Sequence, residues 1–382
     1  MPDAVTTLMS EQEQLLRETV RNFVLKEAPE EKVKEWDEQG SYPRELFDKI
    51  AELGWYELAF AESDRAQLLV AFCEELGRAS SDLVALYNLN ASGSLSIERY
   101  GSEALKQRVI PQVMSGARRL SIAVSEPDVG SNMAALSARA TRIDGGWVLS
   151  GQKVYCEGAG IDGAIIEVYA RTGSSGGRDD ITAFLVDADH PRMNMHRMPS
   201  LGRNISGVYE IFLEDVDVTD DAVLGEVGQG WDILNRRLTL ERLMVSAGFL
   251  GCAGALIDAM IVYANKREQF GKPIGAYQGV SHQIADLFVR LDAARCALFR
   301  TAALQDAGGA RRVDSSMSKL LCGQLYADTA AAAIQIHGAY GYIRDHTIPM
   351  HYADGIIATI VAGPPQIHRN VIARHLGLPV SS

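Results

Sequence analysis

The sequence predicts an α+β chain whose order is helical, β, helical, and two periodicities carry that prediction. Apolar residues recur at steps of three and four from Ser10 to about Met114 and again from Trp231 onward, the spacing that puts them on one face of a helix. Between about Leu120 and Val227 the pattern shortens to β-branched, often alternating segments such as LSARATRI, GWVLSGQKVYC, GAIIEVYART and ITAFLVDA. These are separated by the turn clusters DGG, SSGGRDD and DHPRM. We place an N-terminal helical domain at 1–119, a middle domain of antiparallel strands, a barrel or sandwich, at 120–228, and a C-terminal helical bundle at 229–382.

The elements follow in order. EQEQLLRETVRNFVLKEA, PRELFDKIAELGW, AQLLVAFCEELGRA and SEALKQRVIPQVMSG read as successive helices. Pro43 near the start of one and Gly54 after its last apolar position are the expected punctuation. GEVGQG, 225–230, follows the turn TDDAV rather than a buried strand, so it is the lead-in to the long helix at Trp231 and not a dinucleotide fingerprint. WDILNRRLTLERLMVSAGFLGCAGALIDAMIVYANKRE and VSHQIADLFVRLDAARCALFRTAALQ are long enough for a bundle with short connections.

Composition narrows the function. The 382 residues carry a formal net charge of -12, which leaves no basic field for a phosphate backbone and excludes nucleic acid as a partner. Apolar runs such as DTAAAAIQIHGAYGY are interrupted before the roughly 20 residues of a membrane span, so no membrane insertion is expected. The start MPDAVTTLMSEQEQLL is acidic and amphipathic rather than a secretory leader, and the expected location is cytoplasmic. The five cysteines are scattered singly, which predicts buried, reduced thiols. No histidine spacing suggests metal ligation.

Three segments carry chemistry. SEPDVGSN, 125–132, gathers hydroxyls, Gly and Pro at a strand end, as a loop that offers backbone N–H groups to a ligand would. REQFGKPIGAYQ, 267–278, turns from the end of one helix at Arg267 to the start of the next at Gln278. QIHGAYGY spans 335–342. In this order and at these distances the three segments resemble the acyl-CoA dehydrogenase family, and the resemblance extends along nearly the whole chain.

That resemblance implies a flavoprotein, usually a homotetramer, in which FAD lies between the β domain and the C-terminal helices and reaches a neighbouring subunit. By position, Ser125 and Ser131 match residues near the flavin and the thioester, and Tyr155 matches the aromatic covering one flavin face. Arg267, Phe270 and Gln278 match contacts to the pyrophosphate and adenosine, with Gln335 and Gly338 along the same groove. An Arg suits that role because its fixed fork fits phosphate oxygens. Two positions depart from the pattern. Glu157 stands where the family usually has a Thr bonded to the flavin ring, and a carboxylate donates only when protonated. Pro364 replaces a hydroxyl that contacts FAD, while Gln366 is kept.

The implied reaction removes a proton beside a thioester carbonyl while hydride leaves the next carbon for the flavin, so the protein must supply a base. IVAGPPQIHRN, 360–370, has Ala362 where most of the family has a Glu before Gly. A subset resembling isovaleryl-CoA and long-chain acyl-CoA dehydrogenases instead carries the base on the first long C-terminal helix, immediately before an Arg. LTLERLMVSAG, 238–248, has Glu241 and Arg242 there. At about 100° per residue Glu241 shares a stripe with Leu234, Leu238, Val245 and Gly248, opposite Asn235, Thr239 and Ser246. The competing reading makes Glu241 a structural carboxylate paired with Arg237 one turn away.

The expectation is an FAD-dependent dehydrogenase of a small or branched acyl thioester, with Glu241 as base, and Ser131 and Arg242 on the substrate. The carrier is coenzyme A or acyl carrier protein, and electrons pass to an electron-transfer flavoprotein. Two alternatives are a non-oxidative lyase or desulfinase on the same scaffold, and a companion subunit that completes the FAD sites of a paralogous chain. The stretch LGWYELAFAESDRAQLL is shorter than the family norm and suggests an altered pocket mouth.

Overall fold

The computed structural model describes residues 9–61 and 65–380, so the start of the chain and the 62–64 part of the shortened stretch lie outside the described residues. In chain order the elements are helices α1 (Glu11–Glu27), α2 (Glu30–Gln39), α3 (Arg44–Glu52), α4 (Arg65–Gly77), α5 (Ser81–Tyr100) and α6 (Glu103–Met114). Strands β1 (Arg119–Ala123), β2 (Arg139–Ile143), β3 (Gly146–Glu157), β4 (Ala164–Arg171), β5 (Ile181–Asp187), β6 (Met193–Met198), β7 (Val208–Thr219) and β8 (Val223–Leu224) follow. The remainder is α7 (Gly230–Lys266), a short hairpin β9 (Glu268–Gln269) and β10 (Lys272–Pro273), then α8 (Gln278–Asp306), α9 (Arg312–His337), α10 (Ala339–Tyr342), α11 (Ile348–Ile357) and α12 (Pro365–His375).

By compactness the chain forms two units. One comprises 1–39, 62–84 and 241–382, and the other 40–61 and 85–240. The first is all helical apart from the β9–β10 hairpin. Ser10 starts α1 through a capping box, its Oγ accepting from Glu13 N at 3.2 Å while Glu13 Oε2 accepts from Ser10 N at 2.7 Å, so two otherwise orphaned amides are satisfied. Within this unit α4 and α7 approach to backbone contact. A Cβ on Gly77 would stand 2.5 Å from the Gly248 carbonyl oxygen, and one on Gly251 would overlap that of Glu74. Gly248 and Gly251 are therefore helix-packing residues, as their sequence context suggests.

Helix α7 differs from the sequence expectation in two ways. It is buried on every side from Glu241 to Gly254, including Ser246, so the one-sided stripe read from its first turns does not persist. It is also long and apolar enough to span a membrane, contrary to the reading that every apolar run is interrupted. With 72% of its most apolar window buried, it has the character of a core helix.

The second unit holds one eight-stranded mixed sheet, in the order β6-β7-β3-β2-β4-β5-β8 with β1 against β4. Against the expected antiparallel barrel or sandwich, the sheet is mixed, since β1 and β2 both run parallel to β4, and it does not close into a barrel. The β2–β4 joint is a single residue pair, Arg139 with Arg171, and the strands on its two sides share one core, where Trp147 meets Phe184 edge to face. β4 is buried on both faces, which is why AIIEVYAR shows no clean alternation. Ile166, Val168 and Ala170 enter the core between the sheet halves, whereas Ile165 and Tyr169 pack into a second core with Ile97, Val109 and Ile233.

Four of the cysteines are buried as expected, but Cys296 on α8 is exposed. This follows from its place on the polar side of that helix, beside Asp292 and Arg300 one turn either way.

Candidate active site

In the β-rich unit the SEPDVGSN loop is built around Glu126. Its carboxylate, 4% exposed, accepts from Ser137 N at 2.6 Å, Ser137 Oγ at 2.6 Å, Ala138 N at 2.9 Å and Lys153 Nζ at 2.8 Å. Lys153 is fully buried and also donates to Val124 O at 3.1 Å. Burial alone would raise the Glu126 carboxyl, but the Lys153 charge and the Ser137 and Ala138 donors outweigh it and hold the pKa low. The pair fixes both ends of the loop to β3, where Val154 N donates to Ser125 O at 3.0 Å. Glu126 and Lys153 escape a sequence reading because their contact spans 27 positions and each residue alone looks solvated.

Tyr155 lies next along β3, at a bulge where the register with β7 shifts between Lys153 and Cys156. Its φ is 60 and its side chain 65% exposed, so the backbone takes a left-handed residue to turn an aromatic ring out of the sheet. Glu157, two residues on, is engaged by its own unit. Ser206 Oγ donates to its Oε1 at 3.0 Å, the Arg203 guanidinium lies 3.3 Å from the same oxygen, and Ser121 Oγ bonds its main-chain carbonyl at 2.8 Å. The Glu157 carboxylate therefore acts as an acceptor toward a hydroxyl and an arginine of its own unit.

In the helical unit Glu241 is 9% exposed on α7. In the β-rich unit Arg237, one turn earlier on the same helix, is ion-paired with Glu167, whose carboxylate also accepts from Tyr169 OH. Arg242 is buried, and its Nε donates to Ala362 O at 3.1 Å. Its other guanidinium N–H groups bond no described residue. Burial and the charge of Arg312 bring its pKa down to about 10. The residue following the candidate base is thus bonded to the main chain of the small residue of IVAGPPQIHRN. Lys319, on α9, donates to the carbonyls of Ala358 and Gly363 at 2.9 Å each and completes this end of the site. It went unnoticed in the sequence, although a Lys sharing a helical stripe with Ser315, Cys322 and Tyr326 is the same signal that marks Glu241.

The remaining candidates sit at element ends of the helical unit. Arg267 follows α7, and Phe270 and Gly271 form the two-residue turn of the β9–β10 hairpin with φ of 51 and 81. That is the conformation of a type I′ turn, unusual for Phe, and it leaves the Phe270 ring 95% exposed. Tyr277 OH braces the hairpin by donating to Gln269 O at 3.0 Å, and Gln278 is the first residue of α8. Gln335 and Gly338 close α9, where Gly338 N donates to Gln335 O at 3.3 Å and Gly338 takes φ of 60 and ψ of -133, a conformation that favours glycine. Pro364 and Pro365 occupy the N-cap and first turn of α12, where a missing N–H costs nothing, and Gln366 follows with its side chain exposed. The side chains of Ser125, Ser131, Arg267, Gln278, Gln335 and Gln366 make no hydrogen bond to a described residue. Uncommitted amide and guanidinium donors in the helical unit, and uncommitted hydroxyls in the β-rich unit, are the donor types that suit a polyphosphate ligand.

Profiles of the acyl-CoA dehydrogenase domains match the chain in register: the N-terminal domain over 10–117, the middle domain over 121–216 and the C-terminal domain over 228–377. The caffeyl-CoA reductase-Etf complex subunit CarC of Acetobacterium woodii is 32% identical, over 95% of this chain and 98% of that protein. Among solved structures, a glutaryl-coenzyme A dehydrogenase in complex with glutaryl-CoA superimposes with a TM-score of 0.93 at 31% identity, covering 97% of this chain and 96% of that one. The FAD complex of PigA superimposes with a TM-score of 0.90 at 27% identity, covering 97% and 98%.

Proposed function

From the premise that this chain belongs to the acyl-CoA dehydrogenase family, we propose that it is an FAD-dependent oxidoreductase that desaturates the α,β bond of a small or branched acyl thioester, with Glu241 as the base. The observation that carries the assignment is the pairing of a buried carboxylate at 241 with Ala362. Arg242 bonds the carbonyl of the residue whose side chain is too small to do the chemistry itself.

FAD, when bound, supplies the hydride acceptor. Ser125, Ser131 and Tyr155 would hold its flavin end, and Arg267, Phe270, Gln278, Gln335, Gly338 and Gln366 its pyrophosphate and adenosine. The chain's own task is to take the α proton and to stabilise the charge that builds on the thioester oxygen. A position on α7 gives that base a carboxylate with little access to water. The unused N–H groups of Arg242 and the hydroxyl of Ser131 are the donors we assign to the substrate.

We assign the chain to the cytoplasm and to a homotetramer. Phe270, Phe288, Val289 and Tyr342, all more than half exposed, support self-association of the helical unit. The electron acceptor is an electron-transfer flavoprotein, the kind of partner named in the Acetobacterium complex. Coenzyme A and acyl carrier protein present the same pantetheine arm, and both belong in a substrate panel.

The test is anaerobic visible spectroscopy of the purified protein against acyl thioesters on either carrier. Wild-type flavin should bleach with at least one of them. Glu241→Gln should retain FAD and lose bleaching by at least about a thousandfold, the scale of removing a positioned proton acceptor. Normal bleaching in that variant would remove Glu241 from the mechanism.

A further inference from the structure

The segment joining α11 to α12, residues 358–364, follows the end of α11 through turn bonds as far as Val361 N to Ile357 O at 2.9 Å and then breaks away. Ala362 has φ of 55 and Gly363 φ of 104, so two consecutive residues leave the ordinary right-handed range. For Ala that conformation is disfavoured and persists only where the surroundings over-determine it. Three bonds from buried cationic side chains do so here. Lys319 Nζ donates to Ala358 O and Gly363 O at 2.9 Å each, and Arg242 Nε donates to Ala362 O at 3.1 Å. Behind the turn, buried His368 packs on Gly363, where a Cβ would stand 3.1 Å from its Nε2.

Lys319 is the unusual member. It is 1% exposed, and among the described residues it forms no ion pair with a carboxylate. A buried lysine without an anion is costly and is seldom tolerated for stability alone. Its amine carries two N–H groups when neutral and three when charged, and in either form two suffice for the two carbonyls. Burial and the nearby Arg242 charge lower its pKa to about 7, which fits an amine kept for its donors rather than for its charge.

We propose that Lys319 is a positioning residue for the proton-abstraction step: with Arg242 it clamps the Ala362–Gly363 turn by its carbonyls against the stretch of α7 that carries Glu241. The proposal rests on the dehydrogenase reading above. It assigns Lys319 no contact with substrate or cofactor. Its work is to keep the small residue and its backbone from relaxing into the space the base needs, so its loss should slow chemistry more than it weakens substrate binding.

The test uses the full-length, FAD-loaded protein with Lys319→Met, which keeps the stem and removes the donors, and Lys319→Gln, which keeps two N–H donors without the charge. In the Met variant, amide exchange within 358–364 should accelerate by at least about tenfold while the rest of α9 keeps its protection. The rate constant for flavin reduction at saturating thioester should fall by about tenfold or more with KM changed by less than about threefold. The Gln variant should recover part of both effects. If the Met variant does not fold, the Gln variant decides: partial protection and partial rate support the clamp. Wild-type exchange and reduction rate in a folded Met variant overturn it, as does a folded Gln variant that loses protection and rate completely. The two readings fail separately, because a wild-type protein whose flavin no thioester reduces overturns the dehydrogenase assignment, whatever the exchange result.

Discussion

Replacing Glu126 by Gln tests how the SEPDVGSN loop is held. The native carboxylate satisfies four donors, two on each oxygen: Lys153 Nζ and Ala138 N on one, Ser137 N and Oγ on the other. An amide offers one oxygen, and its NH₂ group would point at donors whichever way it is turned. Lys153, fully buried, would be left with neutral acceptors whichever way the amide turns, so its charge would have no counter-charge in the interior. Breaking a buried pair in this way costs about 3–5 kcal/mol. The reverse change, Lys153→Met, should cost less, because Glu126 keeps its three other donors when the lysine is gone. The double variant should then be more stable than Glu126→Gln alone, since the stranded charge has been removed. Urea unfolding midpoints at constant m-value measure all three, and FAD retention reports whether the loop still forms its ligand face. A Glu126→Gln loss below about 1 kcal/mol, or a Lys153→Met loss exceeding it, would refute the reasoning.

Two further outcomes follow from the helical unit. Gly251→Ala should destabilise by about 1–3 kcal/mol despite the better helix propensity of Ala, because its Cβ would overlap Glu74 O and lie 2.9 Å from Gly77 C, both backbone atoms that cannot step aside; thermal denaturation reads the loss. Burial lowers the buried imidazoles of His351 and His368 from 6.5 to about 4, so the unfolded chain takes up their protons first. Stability should therefore fall as pH drops from about 6.5 to about 4, by roughly 2 kcal/mol for each histidine at pH 5, and His351→Gln should flatten that slope in urea titrations taken at several pH values.

What was legible in the sequence is what local periodicity and short spacing encode. The helices, the strand content of 120–228, the glycine contact at Gly248 and Gly251, and the oddness of a carboxylate at 241 all depend on residues within a turn or two of one another. What stayed hidden depends on partners far apart in the chain. The parallel pairing of β1 with β4 joins strands 45 positions apart, and no turn residue announces it. Arg237 forms an ion pair with Glu167, seventy positions earlier on β4, a partner that no spacing along the helix displays. Glu157 looked like an anomaly at a position where the family usually has Thr, and its partners Arg203 and Ser206 come from the segment before β7. In each case a charged residue in an apolar pattern was the visible half of a pair. Lys319 shows that the rule runs in both directions. Read as a charge on an apolar stripe it deserves the same suspicion as Glu241, and its two partners are carbonyls, which no sequence pattern displays. A buried charge in a helix therefore marks a site more dependably than the type of partner one expects to find for it.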